Sequence, residues 1–201
     1  GLVDVLDRYE VDLLLDVDVE HDAPAAAAYE VAARAEGARM ITARAGQIFQ
    51  LGASTTIRVL SPQGDTSNWR SNAASIVLQV QYGEVGFMLT GDAPSSIEEY
   101  LAGTFTPGVL PTTSSKGRAS GLESEVLKLG HHGSDTSSSE LFLAAVQPQY
   151  AVVSAGKDNR YGHPTDEVLK RAGEAGAQIL STAETGTITF ETDGEEVWLV
   201  K

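Results

Sequence analysis

The chain has only four histidines, at 21, 131, 132 and 163, and two of them stand side by side in "KLGHHGSDTSS" (128–138). With no cysteine present, imidazole and carboxylate are the ligands expected for Zn²⁺ or Mn²⁺. Such an ion lowers the pKa of bound water to about 7 and neutralises charge on a phosphoryl oxygen. Asp92, in "LTGD", has two oxygens on a short stem and suits the bridging of two ions. A lone "TGD" is usually a turn whose Asp satisfies backbone N–H groups, and a lone His before Pro is usually structural. "GHHGS" is more specific, because two histidines between glycines make poor packing material. His21, in "VEHDAPA", has no comparable setting and reads as a surface residue. "DVDVEHD" (16–22) lacks the Gly and Glu spacing of a calcium loop and reads as a solvated turn.

Each polar cluster follows a strand-like run. "VGFMLT" leads to Gly91-Asp92, "EVLKL" to Gly130-His131-His132-Gly133-Ser134, and "YAVVSAG", through "KDNRYG", to His163. Ligand-binding loops gather at strand ends in open α/β sheets, so three such loops can meet at one rim. Ser137-Ser138-Ser139-Glu140 has the Ser-x-x-Glu capping pattern and predicts a helix from about Ser137. Pro164 suits the first turn of another helix. Both histidine clusters would then lie beside helix N-termini, whose free N–H groups favour anions such as phosphate.

The remaining pattern alternates between helix and strand. Helices are expected over 2–9, 23–37 and about 95–102, and strands at 11–17, "ARMIT", "QIFQL", "TTIRVLS", "SIVLQVQY" and "VGFMLT", with "YGEVG" as a hairpin turn. Residues 103–124 form a turn-rich stretch that reads as a flexible surface insert. The helices "SSELFLAAV" and "PTDEVLKRAGEAG" then alternate with strands, and "GTITFET" and "EEVWLVK" close the chain. The whole reads as a single layered α/β domain with mixed sheets over 1–201. Hydrophobic residues make up 42%, and no run approaches the ~18–20 apolar residues of a membrane span. A net charge of −14 argues against a broad passive nucleic-acid surface, although bound cations would reverse the sign locally. The chain opens on Gly1 without a charged-then-apolar leader, which reads as a processed chain or a piece of a longer one.

Taken in order, "SNAASIVLQVQYGEVGFMLTGDA", "EVLKLGHHGSDTSSSELFLAAVQPQYAVVSAG" and "NRYGHPTDEVLKRAGEAG" resemble the C-terminal metallo-β-lactamase-like domain of ComEC-type DNA-internalisation competence proteins. The resemblance implies an αββα sandwich of mixed sheets with two divalent metal ions, Zn²⁺ or Mn²⁺, at one edge. Asp92 matches the metal-bridging Asp. His131 is the favoured second ligand and His132 the alternative, which otherwise acts in catalysis. His163 resembles a pocket residue that binds phosphate or protonates the leaving oxygen. Asn72 and Ser75 match the family's own version of the "SNAAS" segment and, with Ser134, are substrate-binding candidates. By the same resemblance the activity is a hydrolase, a phosphodiesterase or nuclease acting on DNA. The domain would be joined to a membrane channel of the same bacterial polypeptide and lie outside the cytoplasmic membrane.

The His-x-His-x-Asp-His motif of that fold is absent from this chain, as are the "DVGQGDA"-like first strands. The domain is therefore expected to be incomplete at its N-terminus, lacking strands and principal ligands, and to be metal-poor and inactive by itself, with the longer parent as the enzyme. Two other readings are a stand-alone metallo-hydrolase acting on another ester or phosphoester, and a degenerate, non-catalytic module of a membrane transporter.

Overall fold

The computed structural model describes residues 1–19, 23–105 and 121–200. His21 and most of the 103–124 insert lie outside them.

The chain opens with α1 (Leu2–Leu6), β1 (Leu13–Asp16) and α2 (Pro24–Glu36), and α2 ends at Gly37 in the left-handed conformation. β2 (Arg39–Thr42) pairs in parallel with β1 as a small two-stranded sheet. The alternating runs that follow build the main sheet: β3 (Ile48–Leu51), β4 (Thr55–Ser61), β5 (Val77–Tyr82) and β6 (Val85–Leu89). They pair as an antiparallel meander, and the β5–β6 turn is the tight connection expected at "YGEVG".

At β6 the sheet changes character. β7 (Val126–Lys128), β8 (Tyr150–Val153) and β9 (Gln178–Ser181) add in parallel, giving seven strands in the order β3-β4-β5-β6-β7-β8-β9. Parallel neighbours need crossovers, and helices supply them. α3 (Ser95–Thr104) lies between β6 and β7, α4 (Glu140–Val146) between β7 and β8, and α5 (Asp166–Glu174) between β8 and β9.

Apolar residues on both faces of these strands bury the sheet between layers. Met88, Leu127, Ala151 and Val153 join Leu101, Phe142, Leu143 and Val168 in the main core against α3, α4 and α5. Phe87, Val126, Tyr150 and Val152 point the other way, packing with Val197 and Phe190 of the hairpin formed by β10 (Phe190–Thr192) and β11 (Val197–Leu199). The fold is an α/β arrangement with a mixed sheet flanked by helices, compatible with an αββα sandwich.

Three local expectations are corrected. α4 begins at Glu140 with Ser139 as its N-cap, accepting from the Phe142 N–H at 3.3 Å, so the Ser137–Glu140 pair is not the cap. Ser138 is held at φ +57, which no first helical turn permits. Pro164 precedes the N-cap of α5, Thr165, and so lies outside that helix. A short helix, α6 (Thr182–Thr185), also follows β9, where no helix was expected.

Candidate functional site

β6, β7 and β8 are adjacent and parallel, so the loops after them leave the sheet at the same rim. Those loops carry Gly91-Asp92, His131-His132 and, further on, His163. The convergence expected from the strand-then-loop layout is present. The His131 N–H donates to the Gly91 carbonyl at 3.0 Å, joining the first loop to the second, and the Thr165 N–H donates to the Gly133 carbonyl at 3.0 Å, joining the second to the third.

His131 and His132 occupy a 3₁₀ turn, Gly130–Gly133, with φ of 47° and 59°. Two successive left-handed residues turn their side chains apart. His132 Nε2 lies 3.9 Å from Asp92 Oδ1, and His132 Nδ1 is 2.6 Å from the Ser154 carbonyl at the end of β8. A carbonyl only accepts, so Nδ1 carries a proton, and in the neutral ring the Nε2 lone pair is then the one on the Asp92 side. Two ligands of one tetrahedral ion, each ~2.0–2.1 Å from it, lie about 3.3 Å apart. Asp92 and His132 are therefore near the spacing that a shared cation requires. His131 instead places Nδ1 3.3 Å from Thr136 Oγ1, and its ring centroid is 5.6 Å from that of His163 and 6.5 Å from that of His132.

The Asp92 turn is held from two sides. Its N–H donates to Ser75 Oγ at 3.1 Å, which commits the Ser75 hydroxyl to the loop. Half-buried Lys128 sets its Nζ 3.5 Å from the Gly91 carbonyl and 3.3 Å from the Leu129 carbonyl. Burial pushes the Lys128 ammonium below the usual lysine range, and the Asp92 charge partly restores it. Asn72 is exposed in the 3₁₀ turn Ser71–Ala74, and its carbonyl accepts the Ser75 N–H at 3.2 Å. Ser134 is buried, with its hydroxyl 2.9 Å from Thr136 Oγ1, and so serves the loop's own geometry.

The third loop is organised by Asn159. Its Oδ1 accepts the Tyr161 and His163 N–H groups at 3.2 and 3.1 Å, while its Nδ2 donates to the Gly156 and His163 carbonyls at 2.9 and 2.6 Å. His163 Nδ1 is buried with no hydrogen-bond partner among the described residues. Gly133 is required where this loop meets the second: its φ is +86°, and a Cβ there would lie 2.7 Å from Pro164 Cβ.

Behind the rim, Glu98 of α3 is fully buried and accepts the Ser138 and Ser139 N–H groups at 2.8 Å each. Burial pushes its carboxyl up to about 7 against those two bonds and the Arg171 charge, which pull the other way. Ser95 donates both N–H and Oγ to the Thr136 carbonyl at 2.8 Å, and Ser137 Oγ donates to the Ala93 carbonyl at 2.7 Å. The amides leading into α4 are thus taken by a carboxylate, and Asp166 and Glu167 fill the first turn of α5. The start of α4 therefore does not offer the phosphate seat expected of it.

Glu98, Lys128, Thr136, Ser154 and Asn159 were not singled out by sequence. Glu98 had a signal: it lies three residues before buried Leu101, on the same face of α3. Among the described residues no group of three or more His, Asp or Glu side chains gathers as a metal cage, and no helix is long and apolar enough to cross a membrane.

No family model matches the chain. It is 33% identical over 159 residues to ComE operon protein 3 of Bacillus subtilis, covering 79% of this chain and 18% of that protein. It is 40% identical over 126 residues to competence protein ComA of Neisseria gonorrhoeae, and 30% over 131 residues to recombination protein 2 of Haemophilus influenzae. These cover 63% and 65% of this chain but 16% and 14% of the relatives, so the chain spans under a fifth of their length. This set of relatives places the chain in the ComEC-type competence protein family, where it matches one segment of much longer proteins.

Proposed function

We propose that this chain is the hydrolase segment of a metal-dependent phosphodiesterase that cleaves DNA during its uptake, built on a metallo-β-lactamase-like fold. The observation that supports it is the pairing of Asp92 with the Nε2 of His132, whose other ring nitrogen is fixed by the Ser154 carbonyl. A Zn²⁺ or Mn²⁺ ion held there would supply Lewis-acid charge neutralisation and an acidified water. Asp92 and His132 would hold it, Lys128 would keep the Asp92 turn in place, and His131 and His163 would face the phosphoryl group. His163 is the candidate for protonating the leaving oxygen.

Two ligands are fewer than the three protein ligands of a catalytic zinc. In this reading the others come from further parts of the same polypeptide, which also carries the membrane channel, with the site on the extracytoplasmic side of a bacterial cytoplasmic membrane. The same shortage favours a second reading, a non-catalytic module of a transporter.

The test is hydrolysis of labelled DNA by the full-length polypeptide with Mn²⁺ or Zn²⁺. Asp92→Ala and His132→Ala are each expected to lower the rate by at least roughly 100-fold. Loss in Asp92→Ala and His131→Ala, with His132→Ala active, would transfer the ligand role to His131. Absence of cleavage by the unaltered polypeptide would favour the non-catalytic module. Undiminished cleavage in all three variants would end the hydrolase reading of this rim.

A further inference from the structure

His163 is the inner member of a row of side chains that runs from the rim to solvent. Its ring lies 6.0 Å from that of Tyr161 with the planes only 13° apart. The Arg160 guanidinium carbon is 5.0 Å from the Tyr161 centroid, and its Nη2 donates to the Tyr161 hydroxyl at 2.8 Å. Tyr161 is 65% exposed, among the most exposed large apolar side chains described. Neither Tyr161 nor Arg160 joins the hydrophobic core.

The loop that carries them is set in advance. Asn159 fixes the backbone at Gly156, Tyr161 and His163 through four hydrogen bonds. Gly162 adopts φ +70° between the two rings, a turn that L side chains rarely make, and this turn lets residues 161 and 163 present near-parallel planes. A rigid aromatic surface loses little freedom on binding. In a chain of net charge −14, this loop also presents Lys157 and Arg160 to solvent, with Asp158 between them.

We propose that Tyr161 is a base-stacking platform and Arg160 its phosphate contact, together selecting single-stranded nucleic acid for the rim. This inference rests on the phosphodiesterase reading and adds substrate form to it. An aromatic face is useful only to an unstacked base, because in a duplex both faces of every base are covered by neighbours. A strand stacked on Tyr161 would run past His163 and His131 towards Asp92. Base–aromatic stacking tolerates any sequence, and arginine adds cation–π and phosphate contacts.

The test measures fluorescence anisotropy of the 201-residue chain with a labelled oligothymidine and with a labelled hairpin duplex, in EDTA at fixed salt, so no hydrolysis is involved. Tyr161→Ala is expected to weaken single-strand binding by about tenfold or more, to change duplex binding by less than about threefold, and to be rescued by Tyr161→Trp. Arg160→Ala is expected to weaken both and to lower the salt slope by about one. Circular dichroism melts check that each variant is folded. The platform is refuted if the unaltered chain binds neither probe, if Tyr161→Ala binds the single strand as the unaltered chain does, or if it loses the duplex equally. Because metal and turnover are absent, a failed hydrolysis assay leaves this result standing, and a failed binding result leaves the hydrolysis assay standing.

Discussion

At residue scale, the arrangement of the two adjacent histidines depends on their backbone. Left-handed φ values cost a non-glycine residue roughly 1–2 kcal/mol, and His131 and His132 adopt them in succession. That turn aims one imidazole at Asp92 and the other at Thr136 and His163. His131→Gly is therefore expected to be more stable than His131→Ala by about 1 kcal/mol in urea unfolding, because glycine relieves the backbone and alanine does not. Equal stabilities would mean that the turn is not strained. The sequence marked Asp92, His131, His132 and His163 because their chemical types and the flanking glycines are local facts. It left open which imidazole faces Asp92, since that depends on φ and on a carbonyl, Ser154, from a neighbouring strand.

At the scale of elements, the decisive side chain is one whose partners are distant in sequence. Glu98 joins α3 to the segment entering α4 across some forty residues. Its carboxyl is raised to about 7 from an ordinary 4.5, so the folded chain keeps a proton that the unfolded chain has released between those values. Stability is then fully present below about pH 4.5, falls as pH rises through that window, and levels off above about 7. The contribution is on the order of 3 kcal/mol. Glu98→Gln should remove this slope, seen as a smaller difference between urea midpoints at about pH 5 and pH 8. Its amide would also oppose one of the two N–H groups with a donor, so the variant is expected to be less stable at the acid end. A variant with the unaltered pH slope would show that another group titrates. The displaced start of α4 has the same origin: a capping pattern was legible at Ser137, but long-range bonds to Glu98 and Ala93 fix the serines in another conformation.

For the whole molecule, most of the sheet was legible. The strands are short apolar runs bounded by turn residues, and their alternation shows directly in Met88 against Phe87 and Leu127 against Val126. What periodicity does not contain is pairing. That β6, β7 and β8 are neighbours, and parallel, follows from the crossover helices packing on one face. The net charge of −14 has its own consequence, since like charges oppose compaction. Raising ionic strength from about 20 to about 200 mM shortens the screening length and is expected to raise the melting temperature by several degrees. A flat or falling response would show that attractive pairs such as Arg44–Asp18 outweigh the repulsion.

The parallel run β6-β7-β8 also bears on when the rim comes into being. Each of its loops is separated from the next by an entire helical crossover, so no local hairpin can bring the pieces together early. Contacts of such long sequence separation are made slowly. A nascent or partly unraveled chain thus carries every histidine of the rim and none of its geometry, and assembly of the pocket reports completion of the fold.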